Sequence, residues 1–99
     1  MREPNEEFAR ARESITSPTT GHALSRQELA DQVNRWIYEH RNRVVDLDET
    51  YIGKLERGAI RWPQEDYRAA VRAILKVRTD RELGFHLPAE RGRHLAWRM

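Results

Sequence analysis

The 99-residue chain predicts an all-α fold, a compact bundle of about five helices. Three observations carry that expectation. Apolar residues recur at i, i+3, i+4 and i+7 in several separate stretches, the spacing that lines one face of a helix. Two signatures, Ser25 with Glu28 and Thr79 with Glu82, pair a hydroxyl with a carboxylate three residues on, so that each satisfies an orphan N–H at a helix start. Gly58 and Gly84 follow periodic segments at the point where a left-handed residue ends a helix.

Taken in order, residues 4–15 place Phe8, Ala11 and Ile15 on one face, with Pro4 tolerable in the first turn. Ser17-Pro18-Thr19-Thr20-Gly21 is dense in turn formers and reads as a surface loop. From its Ser25 cap the next helix runs to about His40 on the stripe Leu29, Val33, Trp36 and Ile37, with Ala30 small enough beside it for another helix to approach. Residues 41–47 lack a helical period and form a connector, with Val44-Val45 suited to a short extended piece. Asp48 caps a helix over 49–57, Glu49 complements its dipole, and Gly58 closes it. Pro63 is expected at the first position of a helix over 63–77, where Glu65 and Asp66 occupy the first turn and Tyr67, Ala70, Val71, Ile74 and Leu75 form the strongest amphipathic stripe in the chain. Thr79 then opens a short helix to Gly84, and Phe85 folds back onto the core. Residues 1–85 are thus read as one domain and 86–99 as a basic tail, a short helix or disordered.

Composition narrows the function classes. With 38% apolar residues, three Trp, three Tyr and two Phe, the chain supports one modest core. It has no cysteine, no apolar leader and no run long enough for a membrane span, so a cytoplasmic protein of a reducing compartment is expected. Sixteen of its 18 basic residues are Arg, a bias first attributable to a GC-rich genome. The net charge of +2 is too small to argue for nucleic acid by itself. Residues 26–62 are balanced at 7 basic and 7 acidic, and 63–99 carry 8 and 5, so the excess lies in the last third. His22, His40, His86 and His94 share no metal-ligand spacing, and Asp46, Asp48 and Glu49 lack the glycine and distal glutamate of a calcium loop. No phosphate-cradling glycine loop and no nucleophile–base pair is present in the sequence. Neither an enzyme nor a metal or other cofactor is expected.

Two motifs carry a resemblance. Together, Ser25-Arg26-Gln27-Glu28-Leu29-Ala30 and Tyr51-Ile52-Gly53-Lys54-Leu55-Glu56-Arg57-Gly58 resemble the first motif helix and the recognition helix of the xenobiotic-response-element type of helix-turn-helix repressors, the phage repressor and Cro superfamily. The likeness covers roughly residues 8 to 77, and Ile60-Arg61-Trp62-Pro63 is similar to small regulators of that superfamily from mycelial soil bacteria. One departure stands out. Leu29 and Ile52 are 23 positions apart, about twice the family's spacing, so the turn between the two motif helices is enlarged.

The resemblance implies a sequence-specific double-stranded DNA-binding transcriptional regulator, nucleoid-associated, with the helix 49–57 in the major groove. One short recognition helix buries too little for tight binding, so a homodimer on a palindromic operator is expected. Glu49, Thr50, Tyr51 and Lys54 become the base-edge readers: Lys54 donates to guanine O6 and N7, Glu49 accepts from cytosine N4, and the Thr50 methyl meets a thymine methyl. Phosphate contacts fall to Arg26, Gln27, Arg41, Arg43, Arg57 and Arg61. Asp48 is a cap rather than a contact, and Trp36 and Trp62 are packing residues. By the same resemblance Glu56 forms an internal ion pair with Arg10 or Arg12. The dimer is expected along 63–77 and 79–85, with Leu95, Trp97 and Met99 as further candidates. The alternative is a protein-interaction module on the same helices, an antitoxin or adaptor whose basic tail captures a small acidic protein.

Overall fold

A computed structural model describes residues 3–87 as four α-helices, α1 (Glu6–Glu13), α2 (Arg26–Arg41), α3 (Glu49–Glu56) and α4 (Glu65–Leu75), followed by one turn of 3-10 helix (Arg81–Leu83). The described residues contain no strand, only an isolated bridge between Thr16 and Ala23 that closes the loop ahead of α2. Expectations for the tail beyond Leu87, including Leu95, Trp97 and Met99, lie outside the described residues.

The starts of these helices follow from their caps. Ser25 Oγ accepts the Glu28 N–H at 3.1 Å while Glu28 Oε1 accepts the Ser25 N–H at 2.9 Å, a reciprocal box. Asp48 accepts from the Tyr51 N–H at 3.1 Å. Thr79 and Glu82 exchange the same kind of bonds ahead of the 3-10 turn, which stops at Gly84.

Other boundaries differ from the sequence reading. α1 begins after Asn5 because that side chain accepts the Phe8 N–H at 3.1 Å, which leaves Pro4 outside. α4 begins at Glu65, two residues later than Pro63 suggested. Gln64 is extended (φ −61°, ψ 163°), and the carbonyl of the buried Pro63 accepts from Arg68 Nε at 2.8 Å instead of a helical N–H. At its other end α4 stops at Leu75, since Lys76 adopts the left-handed conformation (φ 63°).

The core gathers Phe8 of α1, Leu29, Val33 and Ile37 of α2, Ile52 and Leu55 of α3, and Ala70, Val71 and Leu75 of α4, with Leu24, Leu83 and Phe85 from the connections. Phe85 does return to the core, its ring 5.7 Å from that of Phe8. α2 packs against both α3 and α4, while α1 packs against α3 and the 3-10 turn. Eight residues of α3 are too few to hold a helix in water. Burial of Ile52 and Leu55, about 1.5–3 kcal/mol for each side chain, anchors it instead. Gly58 ends it with φ +77°, and a Cβ there would collide with the Glu3 carbonyl.

Candidate functional site

α3 has two unlike faces. On the inner one, Glu56 is buried beside Leu55 and Ile52, and an ionised carboxylate there requires partners. Oε2 accepts from Arg12 Nε at 2.6 Å and Oε1 from Arg26 Nε at 2.9 Å. Arg12, itself buried, also donates through Nη1 to the Leu24 carbonyl at 2.6 Å. Of the two arginines expected for this pair, Arg12 forms it and Arg10 is exposed. No buried side-chain nitrogen or oxygen among the described residues lacks a partner.

On the outer face, Glu49, Thr50, Gly53 and Arg57 line an open groove of about 840 Å³. Its other walls come from Pro4, Asn5, Glu6 and Ala9 around the start of α1 and from Arg26 at the start of α2, and the largely buried Glu56 also reaches its lining. Lys54 lies one turn from Thr50 and is exposed, as is Arg57, and neither makes an ion pair among the described residues. Glu6, Glu49 and Glu56 place carboxylates beside Arg26 and Arg57 on the groove, so it is mixed in charge. Gln27 is occupied locally: its Nε2 donates to Asp31 Oδ1 at 2.9 Å, and its Oε1 accepts the Glu49 N–H at 3.3 Å, joining the starts of α2 and α3.

No protein-family model, no curated protein and no solved structure matches the chain. Among the described residues no helix is long and apolar enough to cross a membrane. Nor does any group of three or more His, Cys, Asp or Glu among them have the arrangement to hold a metal ion.

The remaining predicted residues lie elsewhere. Tyr51 is half-buried against the core, with its ring edge-on to Tyr67 at 5.4 Å, and it does not line the groove. Burial, and secondarily the neighbouring Tyr67, push its phenol up to about 12. Arg41 and Arg43, at the far end of α2, share Asp66 of α4 at 3.0 and 3.3 Å. Arg43 Nη2 also donates to Gln64 Oε1 at 3.0 Å, and the Arg41 guanidinium lies 5.0 Å from the Trp36 ring, which stacks on His40. Arg61 donates to the Glu3 carbonyl at 2.6 Å. Trp62 packs on the core beneath the Arg68 guanidinium, 3.9 Å from the ring centre.

Two asparagines that position the site escaped the sequence reading. Asn34 holds the connection between α2 and α3 by a paired bond: its Oδ1 accepts the Leu47 N–H at 2.8 Å and its Nδ2 donates to the Leu47 carbonyl at 3.0 Å. Asn5 caps α1, donates to the Leu83 carbonyl at 2.9 Å and gives its own N–H to the Glu56 carbonyl at 2.7 Å. Its signal was available, a cap residue three positions ahead of the first core phenylalanine. Asn34 carried none, because its partner is thirteen residues away.

Proposed function

We propose that the chain is a sequence-specific double-stranded DNA-binding regulator of the xenobiotic-response-element type, with α2 and α3 as its helix-turn-helix and residues 42–48 as an enlarged turn. The observation that carries the reading is the outer face of α3: Glu49, Thr50, Lys54 and Arg57 are displayed without ion pairs among the described residues, while Ile52, Leu55 and Glu56 fix the helix from behind. A helix held this way presents its N-terminal residues to base edges in a major groove. Thr50 and Lys54 read bases, Glu49 accepts from cytosine N4, and Arg57 and the outward nitrogens of Arg26 meet phosphate. Arg41, Arg43, Arg61 and Tyr51 are dropped from the contact set, since each has a partner within the chain and, unlike Arg26, none lines the groove beside α3; Gln27, held by Asp31 and the Glu49 N–H, is dropped with them. Binding is as a homodimer on a two-fold operator, because one eight-residue helix covers too little DNA alone.

Selection of bound duplexes from a random pool tests the proposal. A palindromic product whose affinity falls steeply with salt is expected. Glu6 and Glu49, carboxylates on the groove, favour a second reading in which the face docks a protein. Absence of any enriched duplex, with salt-insensitive binding to a protein, would overturn the first reading for the second.

A further inference from the structure

Gly53 lies in the interior of α3, where glycine is the most costly residue after proline. The fold gives no reason for it. Its backbone is not left-handed, and a Cβ added there would meet neither backbone nor core. The single atom such a Cβ would press is Arg57 Nη1, at 3.1 Å. Arg57 follows Gly53 by one turn, so its side chain leans back over that position. Gly53 is consequently buried although both residues line the open groove.

We propose that Gly53 is a positioning residue whose bare Cα seats the Arg57 guanidinium across the floor of the groove, ready to meet a phosphate of bound DNA. The inference rests on the DNA-binding reading and assigns a role to a residue that contacts no base. A cation held in place against the helix surrenders less rotamer freedom on binding than one waving in solvent. Its planar fork can then meet two phosphate oxygens at once. A methyl at position 53 would lie 3.1 Å from Arg57 Nη1 and press the guanidinium away from the helix, while improving helix propensity. Weaker binding from a protein that is no less stable is therefore the signature.

Two measurements on the full chain test this. In the free protein, nuclear Overhauser contacts between the Gly53 α-protons and the Arg57 side chain are expected, and their absence overturns the proposal. With the selected duplex, Gly53→Ala is expected to melt no lower than the wild type, to bind roughly three- to tenfold more weakly, and to lose about one unit of salt slope. Arg57→Ala is expected to do the same, and the double variant to bind no more weakly than Arg57→Ala alone, since both changes remove one contact. Full affinity in Gly53→Ala, or losses that multiply in the double variant, overturns the assignment. If the wild type selects no duplex the DNA reading falls, while the Overhauser contacts still decide whether Gly53 seats Arg57.

Discussion

The two ends of α2 both carry arginines and use them in opposite ways. At its last turn Arg41 and, just beyond, Arg43 converge on Asp66, and Arg41 also covers Trp36. Their charge is spent on joining α2 to α4. At its first turn Arg26 meets Glu56, but that carboxylate is already held by Arg12, and Lys54 and Arg57 of α3 form no ion pair among the described residues. Cation count does not distinguish these ends. What separates them is which acids the fold brings within reach, and only the first end leaves cations available to a partner.

The largest expected effect breaks the first end from within. Glu56→Ala strands the buried Arg12 guanidinium without its carboxylate and is expected to cost about 3–5 kcal/mol in thermal or urea unfolding. Lys54→Ala, on the exposed face, should leave stability nearly unchanged. Equal melting temperatures for these two variants would remove Glu56 from its structural role.

An intermediate effect sharpens the contrast in binding. Lys54→Ala and Arg57→Ala are expected to weaken duplex affinity about tenfold each, and Arg41→Ala and Arg43→Ala by less than about threefold, in titrations at fixed salt. The reverse order would move the binding face to the Asp66 end. Asp66 is only partly exposed and sits between two arginines, so Arg41→Ala and Arg43→Ala are better judged by affinity than by stability.

The smallest effect concerns acid. Glu28 is held below its ordinary value of 4.5, first by the Ser17 hydroxyl that donates to Oε2 at 2.6 Å and then by the Ser25 N–H. Its folded value lies below the unfolded one, so the stabilisation is present above about 4.5 and is lost as pH falls through the lowered folded value. Ser17→Ala is expected to flatten the fall of melting temperature with pH in that acid window. An unchanged slope would remove the Ser17 bond as the cause.

Much of the fold was legible from residue patterns. The Ser25–Glu28 and Thr79–Glu82 boxes, the Asp48 cap and the Gly58 stop each act within four residues, so their chemistry can be read along the chain. The apolar stripes of α2 and α4 named most of their buried residues for the same reason. Pro63 misled because a proline ahead of a helix fits both the first helical position and a place before the cap, and the choice fell to Arg68 reaching its carbonyl. Legibility ended where partners are distant in sequence. Arg41 and Arg43 looked like loop cations until Asp66 was found beside them, and Tyr51 looked like a base reader until Tyr67 was packed against it.

Which stretches are helical, the Ser25 and Asp48 caps and the apolar faces were determined by the chain alone, because hydrogen bonds and periodicity within a few residues are enough to specify them. Tertiary structure decided which charges are neutralised. Arg12 and Arg26 reach Glu56 across 44 and 30 residues, and Arg41 reaches Asp66 across 25. No local rule covers such separations, and whether a cation is spent inside the fold or left on its surface depends on packing that brings those segments together.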